Sequence, residues 1–261
     1  MPRAIWTGSI SFGLVTVPVG LFSATEDNAV SFHQYERGTT DRIRYRRINE
    51  RTGEEVAFGD IVRGHDDGDG QTIIVEPSEL DQIAPGRSRS IDVTAFVDLD
   101  DIDPIYFQKT YWLAPTKEEN AKVYALLAAA MEATNRVAIA NFVMRGKQYL
   151  CAVRSERGVL SLETLYYAAE VRDPHDQLDH LPEPADQTGR EFDMARTLIE
   201  SMSAPWRPED YEDTYTERVK QLIDDKRAGN EVVAESAAPA PTDVTDLLEA
   251  LQRSVEARRA S

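Results

Sequence analysis

Apolar and polar residues alternate over Trp6–Phe12 and again over Leu14–Phe22, with Gly13 between the two runs. A period of two predicts paired strands. Thr72–Val75, Ser90–Val97 and Ile105–Leu113 are rich in the β-branched and aromatic residues that suit a pleated surface. Three further runs, Val137–Met144, Lys147–Ser155 and Val159–Tyr167, are joined by Arg145-Gly146 and Glu156-Arg157-Gly158. Both links are short enough for hairpins, so these runs form a meander. The period shifts to that of a helix once within this region. Thr116 and Glu119 have capping-box spacing, and Val123, Leu126, Leu127, Ala130 and Met131 then make one apolar face. Many strands with one intervening helix predict a mainly β fold with some α, built on an antiparallel β-barrel within residues 1–172.

After residue 172 the pattern changes. Pro174, Pro182 and Pro184 mark a connector, and a second capping box, Thr188 with Glu191, opens a helix carrying Phe192, Ala195, Leu198, Ile199 and Met202. Pro205-Trp206-Arg207-Pro208 stops it. Tyr211–Arg227 reads as another helix, with Tyr215, Val219, Leu222 and Ile223 on one side and Gly229 past its end. Residues 173–228 therefore form a helical arm. Residues 229–241 have the composition of a flexible linker. Residues 242–261 form an amphipathic tail helix with Val244, Leu247, Leu248, Leu251 and Val255 on one stripe. So short a helix is marginal alone in water, so its stripe needs a surface to pack on.

Charge changes the picture. The net charge is −17, which taken as an average argues against nucleic acid. The acid is concentrated, however. Residues 1–63 hold 8 basic and 8 acidic side chains, 64–106 hold 2 and 11, 107–172 hold 9 and 6, and 173–261 hold 10 and 21. Within the balanced first segment, "DRIRYRRINER" places five arginines, Arg42, Arg44, Arg46, Arg47 and Arg51, in eleven positions. Alternation along Arg42–Ile48 predicts a two-faced strand with Arg42, Arg44 and Arg46 on one side. A local basic surface of this kind can bind phosphate even on an acidic chain.

Candidate chemistry is sparse. The chain has no P-loop, no G-x-G-x-x-G, no H-E-x-x-H and no G-x-S-x-G. Cys151, the one cysteine, sits in the strand "YLCAV" with no histidine near it in sequence, which reads as a small buried thiol. With no internal disulfide possible, a reducing, cytoplasmic compartment is expected. Gly13, Thr16, Pro18 and Gly20 interrupt the apolar stretch near the start, and no apolar run reaches the ~18 residues of a membrane span. The run from Gly64 to Gly70 fails as a calcium loop, because the twelfth position counted from Asp67 is Ser78; it reads as a hairpin tip. His175 and His180 lie in a polar, proline-flanked connector, where no metal is expected.

Several blocks point to one family. "MPRAIWTGSISFGLVTVPVGLFSATED", "VSFHQYERGTTDRIRYRRIN", "FVDLDDIDPIYFQKTYWLAP", "NFVMRGKQYLCAVRSERGVLSLETLYYAAEVRDP" and "APWRPEDYEDTYTERVKQLIDDKRAG" resemble bacterial Ku, the prokaryotic DNA-end-binding family, over nearly the whole chain to about residue 229. The resemblance implies a ring-shaped homodimer that encircles double-stranded DNA ends and recruits an ATP-dependent ligase for non-homologous end joining. It also implies no catalytic activity, no cofactor and no membrane. The DNA-encircling bridge would be an excursion at about residues 26–89. Arg42, Arg44 and Arg46, with Arg47 and Arg51, would then line the ring, while Ile43 and Tyr45 face packing or the dimer partner. Lys109, Arg145, Lys147, Arg154 and Arg157 are secondary DNA candidates, as are Arg87 and Arg89. The tail stripe Val244, Leu247, Leu248, Leu251 and Val255 would meet the ligase.

The chain departs from the family pattern in two places. "NERTGEEV" stands where some relatives carry a cysteine pair, and the sequence given lacks their lysine-rich extension. Two competing readings are an acidic protein–protein adaptor without DNA binding and a hydrolase using the acidic loops. The arginine run weighs against the first and the absent motifs against the second.

Overall fold

The computed structural model describes residues 3–83, 89–183 and 187–230. The tail stripe and Arg87 lie outside them. The chain divides into two compact units: one takes in the chain to Asp27 and His33–Asp173, the other Asn28–Phe32 and the chain from Pro174.

The first unit is built on nine strands: β1 (Trp6–Phe12), β2 (Val15–Ser23), β3 (Arg63–Asp66), β4 (Thr72–Val75), β5 (Ser90–Asp98), β6 (Phe107–Pro115), β7 (Arg136–Met144), β8 (Lys147–Glu156) and β9 (Val159–Leu165). Seven close into a barrel in the order β1-β2-β6-β9-β8-β7-β5, and β3 pairs with β4 as a separate hairpin. The expected antiparallel barrel is corrected here to a mixed one. Directions cannot alternate all the way round a closed ring of odd number, so one pair must run parallel. That pair is β1 with β5, in register Ser9 to Ser90 and Ile10 to Ile91. Gly8 makes the closure possible, since a Cβ there would collide with the carbonyl oxygen of Arg89. The same carbonyl accepts from the Ser9 N–H at 2.8 Å.

Alternate residues of the strands fill the interior, among them Ile10, Val19, Leu21, Phe142, Val153 and Leu162, all buried. The other parity of β7, β8 and β9 is also covered on part of its length. Val137, Ala152 and Leu165 pack under Leu99, Ile102 and Tyr106. Both hairpin turns of the meander use positive φ at their two central residues, Arg145 with Gly146 and Arg157 with Gly158. That conformation matches the twist of the flanking strands.

The helices of this unit are α1 (Pro77–Ile83) and α2 (Ala121–Thr134). The α2 face differs from the expected one. Tyr124, Leu127, Ala128 and Met131 are buried, whereas Leu126 is 71% exposed. The Tyr124 hydroxyl explains the rotation: it donates to the Leu113 carbonyl at 2.7 Å and accepts from the Leu160 N–H at 2.8 Å. These groups belong to adjacent strands, so the phenol stitches β6 to β9 where their ladder ends. The Thr116–Glu119 capping box does not form; a 3-10 turn over Glu118–Asn120 leads into α2 instead.

The second unit holds α3 (Pro174–Gln177), α4 (Arg190–Met202) and α5 (Thr214–Ala228). Gly189 rather than Thr188 is the N-cap of α4, with no side-chain bond. Asp213 caps α5 by accepting from the Thr216 N–H at 3.0 Å and its hydroxyl at 2.6 Å. Those bonds hold the Asp213 carboxyl below its ordinary range. Gly229 closes the helix in the left-handed conformation.

Candidate nucleic-acid interface

The strand registers sort the barrel's basic residues into two ends. Because β7 and β8 pair Met144 with Lys147, their turn marks one end. At this end β2 finishes, since Ser23 pairs with Tyr111 near the start of β6, and β5 begins, since Ile91 pairs with Phe142. The long excursion between β2 and β5 therefore leaves and re-enters the barrel at the end that carries Arg145 and Lys147.

Contacts confirm the proximity. Phe58, Ile61, Arg63, Pro77 and Leu80 of the excursion line one recess of about 690 Å³ with Arg145, Gly146 and Lys147. Lys147 Nζ lies 5.3 Å from the centre of the Tyr149 ring, and Lys109 Nζ lies 5.6 Å from that of Tyr111. Burial, then the nearby Tyr149, push the Tyr111 phenol up, while the Arg145 guanidinium pulls it down. Lys109, Arg145, Lys147 and Arg63 thus gather around one mouth. Arg63 escaped the sequence reading because nothing local marks it; only the fold brings it to the β7–β8 turn.

Arg154 and Arg157 are placed otherwise. Arg157 is in the β8–β9 turn, at the far end of the ten-residue β8, about 30 Å from Lys147. Arg154 donates through Nε to Glu163 at 2.8 Å on the outer wall of the barrel. Gly158 at the far turn is held by the Glu132 carboxylate of α2, so that end is the one α2 covers.

The arginine run is not a strand. Arg42–Ile48 is bounded by two single bridges, Tyr35 with Arg42 and Ile48 with Glu55. Around them the chain doubles back twice, with Ile43 N–H donating to Gln34 at 2.9 Å and Val56 N–H donating to Arg47 at 2.9 Å. One pairing contact on each side is too few for a ladder. Asn49 sets the second reversal by accepting from the N–H groups of Arg51 and Thr52.

All five arginines of the run are exposed. Arg42 meets His33 Nδ1 at 3.0 Å, Arg46 lies 3.5 Å from Glu55, and Arg47 stacks 5.2 Å over the Phe58 ring. Among the described residues the side chains of Arg44 and Arg51 have no partner. The hairpin β3–β4 follows, its acidic tip folded around the Asp67 carboxylate.

Residues 11–194 match the Ku70/Ku80 beta-barrel domain family. The chain belongs to the Ku family. It is 57% identical over 259 residues to a protein of Saccharopolyspora erythraea named non-homologous end joining protein Ku 1, covering 99% of this chain and 80% of that one. A second protein of the same organism, named Ku 3, is 50% identical, covering 95% of each chain. The Mycobacterium tuberculosis non-homologous end joining protein Ku is 39% identical, covering 98% of this chain and 96% of that one. The Ku match begins near the end of β1 and runs into α4, so it takes in the other six barrel strands and the whole excursion. Among the described residues no group of acidic, histidine or cysteine side chains is arranged to hold a metal ion. No described helix is long and apolar enough to cross a membrane.

Proposed function

We propose that the chain binds double-stranded DNA ends without sequence preference, as a ring-shaped homodimer acting in non-homologous end joining. One observation carries the reading. The excursion presents its arginines together with large apolar side chains that are left largely exposed: Tyr45 is 83% and Phe58 77% exposed, with Ile43 and Ile48 also open. A second copy supplies the missing cover, and the arginines are left for the duplex.

Guanidinium–phosphate contacts position a protein on DNA without reading bases, which suits a surface that must accept any broken end. Arg42, Arg44, Arg46, Arg47 and Arg51 form the primary contact set. Lys109, Arg145, Lys147 and Arg63 extend it onto the barrel mouth from which the excursion springs. The position of Arg157 at the α2 end and the engagement of Arg154 with Glu163 support leaving both outside the contact surface. The protein has no catalytic step of its own in this account. Its place is the cytoplasm, at DNA breaks.

A closed ring threads only over a free end. The protein therefore binds linear duplex and ignores relaxed covalently closed circles of the same sequence at equal salt. Equal binding to both, or binding to neither as an acidic adaptor would show, contradicts the proposal. The tail stripe recruits the ATP-dependent ligase, as an amphipathic helix enters a groove. Leu247→Asp combined with Leu251→Asp leaves end binding intact and abolishes stimulation of joining. Full stimulation by that variant would route recruitment through the folded core.

A further inference from the structure

A second recess, independent of the DNA reading, opens on the outer wall of the barrel. Thr110 of β6 pairs with Glu163 of β9, and Arg154 of β8 pairs with Ser161, so Thr110, Glu163 and Arg154 lie side by side on the outward parity of three neighbouring strands. The segment between β5 and β6 roofs them with Leu99, Ile102 and Pro104, and Phe107 completes a cavity of about 510 Å³. Its apolar walls and few convergent polar groups are the usual make-up of a small-ligand site.

The Glu163 carboxylate is what the barrel alone does not account for. Its side chain is only 5% exposed. One oxygen, Oε1, accepts from Arg154 Nε at 2.8 Å and from the Ser161 hydroxyl at 3.3 Å. The other, Oε2, is buried and meets no donor among the described residues. A desolvated carboxylate oxygen without a donor is costly, and more so than a neutral group. Asp100 stands at the exposed lip, with no ion pair among the described residues. The recess therefore holds two carboxylates against one guanidinium, and that guanidinium is already committed to Oε1.

We propose that this recess binds an ammonium or guanidinium group carried on a short apolar stem. The cation donates to Glu163 Oε2, Asp100 adds attraction at the entrance, and the stem lies against Leu99, Ile102, Pro104 and Phe107. An anion would face both carboxylates. A hard metal ion would find two carboxylates and four apolar walls where it needs six or more oxygen ligands. The same chemistry is offered by a lysine or arginine side chain of another polypeptide and by a free alkylamine, since both join a cationic head to a methylene stem.

The test uses the full-length protein, with amide NMR signals of Ile102, Phe107 and Thr110 followed during titration. Pentylamine shifts them saturably, while pentanol and pentanoate do not. No saturable shift with pentylamine, or an equal response to pentanol, overturns the proposal. Glu163→Gln weakens pentylamine binding by about tenfold or more, as loss of a charge-assisted hydrogen bond requires. Asp100→Asn, at an exposed position that leaves folding unaffected, weakens it severalfold and serves if the Glu163 variant fails to fold. Unchanged affinity in the folded variants overturns the assignment. A blocked pentapeptide with one central lysine separates the two sources. If it moves the same signals, a polypeptide side chain fits the site; if only pentylamine does, the ligand is a free amine and the chemistry stands.

Discussion

The barrel and the excursion divide the work of the first unit in opposite ways. In β9 every residue from Leu160 to Leu165 is buried, because the strand is covered on both faces. In the excursion every residue from 33 to 55 is exposed. The barrel holds itself together by burying apolar area, at roughly 25 cal/mol per Å². The excursion cannot do so, and depends on turn chemistry: Thr39 and Asn49 accept from nearby N–H groups, and two single bridges fix the reversals. A segment ordered by local hydrogen bonds leaves its side chains, apolar and basic alike, largely exposed. The same chain thus spends its hydrophobic residues inward in one region and outward in the other.

That contrast predicts a graded series of effects on folding stability. The largest belongs to the barrel. Phe142 is buried, edge-on to Trp6 at 5.8 Å and stacked on Tyr149 at 5.5 Å. Phe142→Ala lowers the unfolding free energy in urea by about 3–5 kcal/mol. A loss below about 1 kcal/mol would show that the barrel interior is not the principal store of stability.

The next effect is alkaline. Burial pushes the Cys151 thiol up from its ordinary 9.0, and burial outweighs the Leu160 hydrogen bond in pushing the Tyr124 phenol up from 10.0. The folded protein holds these protons more tightly than the unfolded chain does. The associated stability is therefore complete below about pH 9 and declines as pH rises, by at most about 1.4 kcal/mol per pH unit for each group. Urea midpoints between pH 8 and 11 follow this decline, and Cys151→Ala removes the part that starts nearest pH 9. A flat profile would contradict the burial of both groups.

Much of the barrel was legible in the sequence because strand periodicity survives wherever one face is buried. Trp6–Phe12, Ser90–Val97 and the three-strand meander all fall on observed strands. The helix face was misread by one position. Val123 and Leu126 look like core residues, but the Tyr124 ring is the one whose hydroxyl has backbone groups to reach. Both capping boxes failed because a 3-10 turn and Gly189 supply the helix starts. The parallel β1–β5 pair was hidden for a different reason. Alternation shows that a strand exists but says nothing of its direction. For the candidate interface, the arginine run announces itself by density, whereas the cluster of Arg63 with Arg145 and Lys147 is assembled only by the fold.

The smallest effect on stability belongs to the excursion, and it separates the two regions most directly. Replacing Arg42, Arg44 and Arg46 together by glutamine changes the unfolding free energy by no more than about 0.5 kcal/mol, as for surface positions in general. The measurement that tests the central claim is the salt dependence of linear-duplex binding by this variant, beside Arg157→Gln at the opposite barrel end. A homodimer presents each of the three arginines twice, and each phosphate contact contributes about 0.9 to the log–log slope on B-form DNA. The triple variant therefore binds far more weakly, with its slope reduced by as much as about 5, while Arg157→Gln keeps the wild-type affinity and slope. A folded triple variant that retains both, or a slope that falls with Arg157→Gln instead, would place the DNA on another surface.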